Sequence, residues 1–292
     1  MDEGATPEQP SPPSVAKWRW LIHLLIMGSY PLLIAALSLG IRPEDAEAAL
    51  SANIGILLLN LMITMASFFV FLGLAWCASR ATVDDLMLRW KSGVLPWALG
   101  LVYSIGMRLL IGVIVYIVVF AVVLGMLSSE GKPLSMESFQ ETSTKLMEDN
   151  RPKVEHLVDT DAIVNSPMYL FINITLVSFV MAGFREELWR SSMLAGFKGL
   201  FPQSYDKLWC KIGFVLIVAV IFGIGHLPQG IGGVILTGAL GVMLGLIMIF
   251  HRSIWQATWT HGFFNATSFA GMYFLFKYKD QFEPLKKMFG AE

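Results

Sequence analysis

Apolar residues fill this chain in long runs broken by short polar stretches. A bilayer-spanning helix needs about 20 mostly apolar residues. Runs near Trp18 to Ile41, Leu50 to Ser79 and Pro96 to Leu127 reach that length, as do runs near Met168 to Leu200, Leu208 to His226, Ile231 to Phe250 and Ile254 to Phe276. The pattern predicts an all-α fold, a polytopic transmembrane bundle of about seven helices enclosing an intramembrane polar cavity. The third run is long and holds Arg108. Its start is expected to lie along the interface before the helix dives, and Arg108 either faces the bundle interior or, the favoured reading, snorkels to an interface.

The polar stretches divide the chain. Residues 1–15 are polar and hold Pro7, Pro10, Pro12 and Pro13, too close together for a helix, which predicts a disordered tail. That tail lacks the positive start and the cleavage site of a signal peptide, so the first span is expected to stay in the mature protein. N-terminal helices follow over 16–127, and an acidic extramembrane loop over 128–167 carries Glu130, Glu137, Glu141, Glu148, Asp149, Glu155, Asp159 and Asp161. A helical core over 168–276 and a tail over 277–292 complete the chain. Lys17, Arg80, Arg89, Lys91, Lys198, Lys207, Lys211 and Arg252 alternate onto one side, predicted to be cytoplasmic. Lys277, Lys279, Lys286 and Lys287 break the alternation if the spans number seven.

Composition supports the same picture. Of 292 residues 55% are hydrophobic and 15% charged, and the mean hydropathy is +0.62, outside the usual range of soluble domains. The chain is therefore expected to be a multi-pass integral membrane protein with the lipid bilayer as partner, in the inner (plasma) membrane if its source is bacterial. A formal net charge of −1 argues against nucleic acid as a partner. Cys77 and Cys210 lie in or beside apolar runs and have neither disulfide nor zinc-knuckle spacing.

Ionisable residues inside apolar runs need a reason, because each costs about 2.5–3.5 kcal/mol at mid-bilayer on insertion scales. Three places in the second half carry them: Arg185-Glu186-Glu187-Leu188-Trp189-Arg190, Phe222-Gly223-Ile224-Gly225-His226, and His261-Gly262-Phe263-Phe264-Asn265. Glu186 and Arg190, Phe222 and His226, and His261 and Asn265 are each four apart, on one helix face. At a rise of about 1.5 Å per residue, Glu187 lies about 16 Å before Lys198, His226 about 22 Å beyond Lys211 and His261 about 13 Å beyond Arg252. The spacing predicts two carboxylates, two imidazoles and an amide at a common depth.

These three motifs resemble those of the CAAX-protease and bacteriocin-processing family of intramembrane endopeptidases: Glu-Glu-x-x-x-Arg, Phe-x-x-x-His, and His-x-x-x-Asn or Asp. The second and third match as written, and the resemblance covers about Met168 to Phe276. In the first, two residues separate Glu187 from Arg190 where the family has three. Anchoring on the glutamates makes Glu186 and Glu187 the acidic pair; anchoring on Trp189-Arg190 puts Arg185 and Glu186 in the acidic positions. The resemblance implies that Glu186, with Glu187 beside it, and His226 activate a water, that His261 and Asn265 steady the oxyanion, and that Arg190 and Phe222 support the site. Arg190 would hold a glutamate through a bidentate contact.

No cofactor is required on this reading, although two imidazoles and a carboxylate would also make a zinc site with an open position. The substrate would be a peptide or protein, membrane-anchored or not, and nothing in the chain selects its identity or prenylation. Two other readings stay open: a catalytically silent scaffold or immunity factor of the same family, and a proton-coupled transporter, which would predict inverted repeats that are not visible.

Overall fold

The computed structural model describes residues 15–40, 53–90, 93–153, 158–278 and 281. The expected disordered tail, apart from Val15, and most of the C-terminal tail lie outside the described residues. Ten helices are present among those described. They are α1 (Lys17–Leu39), α2 (Ile54–Ser79), α3 (Leu95–Ser129), α4 (Met136–Asn150), α5 (Thr160–Asn165), α6 (Pro167–Leu200), α7 (Pro202–Tyr205), α8 (Leu208–Ile224), α9 (Gly230–His251) and α10 (Ile254–Lys277). No strand occurs among the described residues, so the helical bundle expected from the apolar runs is the fold.

Among the described residues each predicted apolar run is helical over most of its length, and five segments are long and apolar enough to cross a membrane: α1, α2, α3, α6, and Leu227–His251, which contains α9. Helix α8 is apolar over only 17 residues, and α10 is diluted by Gln256, Thr258, Thr260, His261 and Asn265. The count of seven spans is therefore not established. Helix α3 is one continuous helix of 35 residues. The acidic stretch read as a loop contains α4 and α5, capped by the side chains of Ser135 and Asp159.

A bent turn at residues 80–90 gathers one end of the bundle. Its Leu86 carbonyl accepts from Ser191 Oγ at 2.5 Å, its Met87 carbonyl from the Ile254 amide at 3.1 Å and its Leu88 carbonyl from Trp255 Nε1 at 2.8 Å. Arg19 donates to the Ala78 carbonyl at 2.5 Å, and Lys198 pairs with Asp85 at 2.9 Å. Burial alone would raise the Asp85 carboxyl, yet Lys198 and Thr82 hold it below the ordinary carboxylate value. The starts of α1 and α10 and the ends of α2 and α6 thus meet at one level.

Helices α1, α2, α6, α8, α9 and α10 share the main core, which includes Met27, Phe68, Leu194, Val218, Leu244 and Ala257, all buried. Helix α10 lies between α6 and α3. A methyl group on Gly183 of α6 would sit 2.9 Å from the Thr258 carbonyl, so this approach of α6 to α10 needs a residue without a Cβ. His23 of α1, in a span read as free of ionisable residues, is 1% exposed. Its Nδ1 lies 3.1 Å from the Ala75 carbonyl and its Nε2 2.9 Å from the Ser192 carbonyl, tying α1 to α2 and α6. No spacing marked it, because a lone polar residue in an apolar run shows no partner in sequence.

Candidate active site

The first motif stands at a change of helix type. Asn173–Arg185 is a π-helix, and α-helical geometry resumes at Glu186. Within the π segment Ser178 donates to the carbonyl of Asn173, five residues back, at 2.7 Å. Such segments recur at functional sites because the wider turn re-aims the residues after it. Counting at 3.6 residues per turn is valid only from Glu186 onward, the stretch that relates the glutamates to Arg190.

Both glutamates face His261. Its Nδ1 lies 3.0 Å from Glu187 Oε1, and its Nε2 lies 3.9 Å from Glu186 Oε2. Glu187 is fully buried and Arg190 is 1% exposed, and the two pair through Arg190 Nη1 and Glu187 Oε1. One expectation is corrected: the glutamate that Arg190 holds is Glu187, three residues away, and the contact is single rather than bidentate, since Glu187 Oε2 has no hydrogen-bond partner among the described residues. Glu186 instead takes Arg185 Nη2 at 2.9 Å on Oε1, leaving Oε2 turned to His261.

The second motif ends a helix rather than lying along one. Helix α8 stops at Ile224, Gly225 caps it, and His226 sits beyond at φ −100°, ψ 14°, a region sparsely used except in turns and at active sites. Its Nδ1 donates to the Phe222 carbonyl at 2.8 Å, so the four-residue spacing keeps a meaning outside the helix. Nε2 has no hydrogen-bond partner among the described residues.

Phe222 is the hub. The Arg190 guanidinium lies over its ring at 4.6 Å, a cation–π contact that partly replaces solvent for a buried charge. Its ring centroid is 4.6 Å from His226 and 6.5 Å from His261, so the two imidazoles cannot be farther apart than these separations combined. Trp189 closes the other side at 5.9 Å and donates to the Met27 carbonyl at 2.7 Å, fixing the motif to α1.

Asn265 follows His261 by four residues on α10 and is half-buried, with no side-chain hydrogen bond among the described residues. The turn after it carries a contact the sequence did not reveal. Arg108 of α3, expected to snorkel, instead faces the bundle and donates to Thr267 Oγ1 and Ser268 Oγ at 2.7 and 2.8 Å. The acceptors are backbone and hydroxyl oxygens, which leave little mark in a hydrophobicity pattern.

Glu186, Glu187, Arg190, Phe222, His226 and His261 thus converge, two carboxylates on one imidazole and a second imidazole across one phenyl ring. Among the described residues no three His, Cys, Asp or Glu side chains are arranged to hold a metal ion. Residues 168–267 match the family model described as type II CAAX prenyl endopeptidase Rce1-like, leaving α1 to α5 outside the match. No curated protein and no solved structure matches the chain.

Proposed function

Starting from residues 168–267 as an Rce1-like domain of the CAAX prenyl endopeptidase family, we propose that this integral membrane protein hydrolyses a peptide bond with a water held by Glu186 and His226. The observation that carries the reading is the convergence of both glutamates on His261, with His226 one ring away.

Glu186 Oε2 takes a proton from the water as its oxygen attacks the scissile carbonyl carbon, and His226 Nε2 orients that water. The tetrahedral intermediate carries its negative charge on the former carbonyl oxygen, where His261 Nε2 and the Asn265 amide donate. Collapse breaks the carbon–nitrogen bond, and Glu186 passes its proton to the leaving amine. Glu187 accepts from His261 Nδ1–H and so sets the direction of the ring, while Arg190 balances the Glu187 charge. With Nδ1–H committed to Glu187, Nε2 can donate only from a doubly protonated ring, so the oxyanion role requires an imidazolium.

The anchoring on the glutamates fits this assignment, since both Glu186 and Glu187 reach His261. No step runs through a metal, and activity is expected to survive exhaustive chelation; loss to a chelator with recovery on added zinc would overturn that part. The purified protein in detergent, incubated with a membrane peptide library, is expected to give cleavage products that vanish in Glu186→Ala. An inert wild-type protein would favour the silent-scaffold reading.

A further inference from the structure

We propose that Arg108 is a positioning residue for this reaction, fixing the turn of α10 that presents Asn265 to the oxyanion. The inference rests on the endopeptidase reading and lies outside the family match, on α3. Arg108 is the only Asp, Glu, Lys, Arg or His in that 35-residue helix. Its Nη2 donates to the Phe264 carbonyl, to Thr267 Oγ1 at 2.7 Å and to Ser268 Oγ at 2.8 Å, so two hydrogens are shared among three oxygens. The guanidinium also lies over the Phe264 ring at 4.3 Å.

All three oxygens belong to one turn. The two hydroxyls donate backwards, Thr267 to the Phe263 carbonyl at 2.7 Å and Ser268 to the Phe264 carbonyl at 2.9 Å, which leaves their lone pairs for Arg108. The peptide group gripped at Phe264 is the one that joins it to Asn265, so the grip acts directly on the Asn265 backbone. Among the described residues no carboxylate pairs with Arg108, and its contacts are spent on this turn. Simple helix packing does not account for it, because α3 already meets α10 through apolar contacts, Gly100 against Trp259 and Trp97 against Phe263 with rings 5.9 Å apart. An oxyanion donor works only within about 2.7–3.1 Å of its target, so a looser turn would be felt at the reaction.

The test compares Arg108→Met, which keeps length and suits the bilayer, with Arg108→Lys in the purified full chain. Steady-state cleavage of the peptide is read beside hydrogen–deuterium exchange of residues 264–268. Arg108→Met is expected to lower kcat roughly 10- to 100-fold, the scale set by a misplacement of about 1 Å, with KM nearly unchanged and faster exchange in that turn. Arg108→Lys should recover part of both. Wild-type kcat in Arg108→Met, or lost kcat with unchanged exchange, would overturn the proposal. Should that variant fail to fold, Thr267→Val combined with Ser268→Ala removes two acceptors and must lower kcat at constant KM; wild-type kcat there overturns it equally. If the wild-type chain cleaves nothing, the endopeptidase reading fails by itself, and the exchange data still decide whether Arg108 holds the turn.

Discussion

In their most apolar stretches α2 and α3 bury 6% of their residues, whereas α6 buries 39% and the segment Leu227–His251 buries 33%. The mean hydropathies run the other way for the extremes, 3.0 for α3 against 1.7 for α6. The most apolar helix faces outward and the most polar spanning helix is wrapped in protein. A soluble domain would reverse this, because water would penalise the exposed apolar face. In lipid an apolar side chain gains little by hiding, and only polar groups must be enclosed. Helices α6 and α10 and the turn that follows α8 can therefore carry Glu186, Glu187, His226 and His261, while α2 supplies almost pure hydrocarbon and α3 departs from it chiefly at Arg108.

The largest effect expected from this contrast is at the reacting groups. Glu186→Gln keeps the shape of the carboxylate but cannot take the proton, and His226→Ala removes the orienting imidazole. Each should lower kcat by about 10²–10⁴-fold with thermal unfolding in detergent little changed. Wild-type turnover in either variant would remove that residue from the site.

Glu187→Gln should combine both kinds of loss. Turnover falls because the His261 ring loses its anchor, and stability falls by about 3–5 kcal/mol because Arg190, 1% exposed, is left as an unpaired buried charge. An active and equally stable Glu187→Gln protein would favour the other alignment, anchored on Trp189-Arg190.

Glycine substitution sharpens the comparison without touching the chemistry. Ala at Gly183 would press its methyl toward the Thr258 carbonyl at 2.9 Å and the Ser178 carbonyl at 3.1 Å, and is expected to destabilise by about 1–3 kcal/mol. Ala at Gly112 of α3 meets nothing within 4 Å and should be neutral or stabilising by up to about 1 kcal/mol. Equal unfolding temperatures for the two variants would contradict the division into an enclosed and a lipid-facing half.

The smallest effect belongs to the clasp between the halves. The Asp85 carboxyl is held below its ordinary value in the folded protein. Its contribution is therefore complete above the unfolded carboxyl's pKa of about 3.9 and fades as pH falls through the lower folded value. For a pair this exposed that is at most about 1 kcal/mol. Wild type should lose slightly more thermal stability than Asp85→Asn on acidification through that range; identical pH profiles would show that the pair contributes nothing.

Much of this was readable from the residues. Apolar runs marked each long helix, because length and hydropathy alone decide what lipid accepts. The motif glutamates and histidines stood out against those runs, and their order carried the family resemblance. Partners did not. Whether Arg190 meets Glu186 or Glu187 depends on rotamers and on the π-helix before them. The end of α8 at Ile224 depends on how Gly225 and Pro228 act together. His23 and Arg108 act through backbone carbonyls and hydroxyls contributed by distant helices, which no local spacing encodes.

The central claim is that Glu186 and His226 act on one water in one step, and the activity of Glu186→Gln, His226→Ala and the double variant tests it most directly. Groups that work as a unit give losses far from additive. The double variant is expected to be no slower than the worse single variant. Losses that multiply, with the double variant slower by the product of the two, would contradict a shared site.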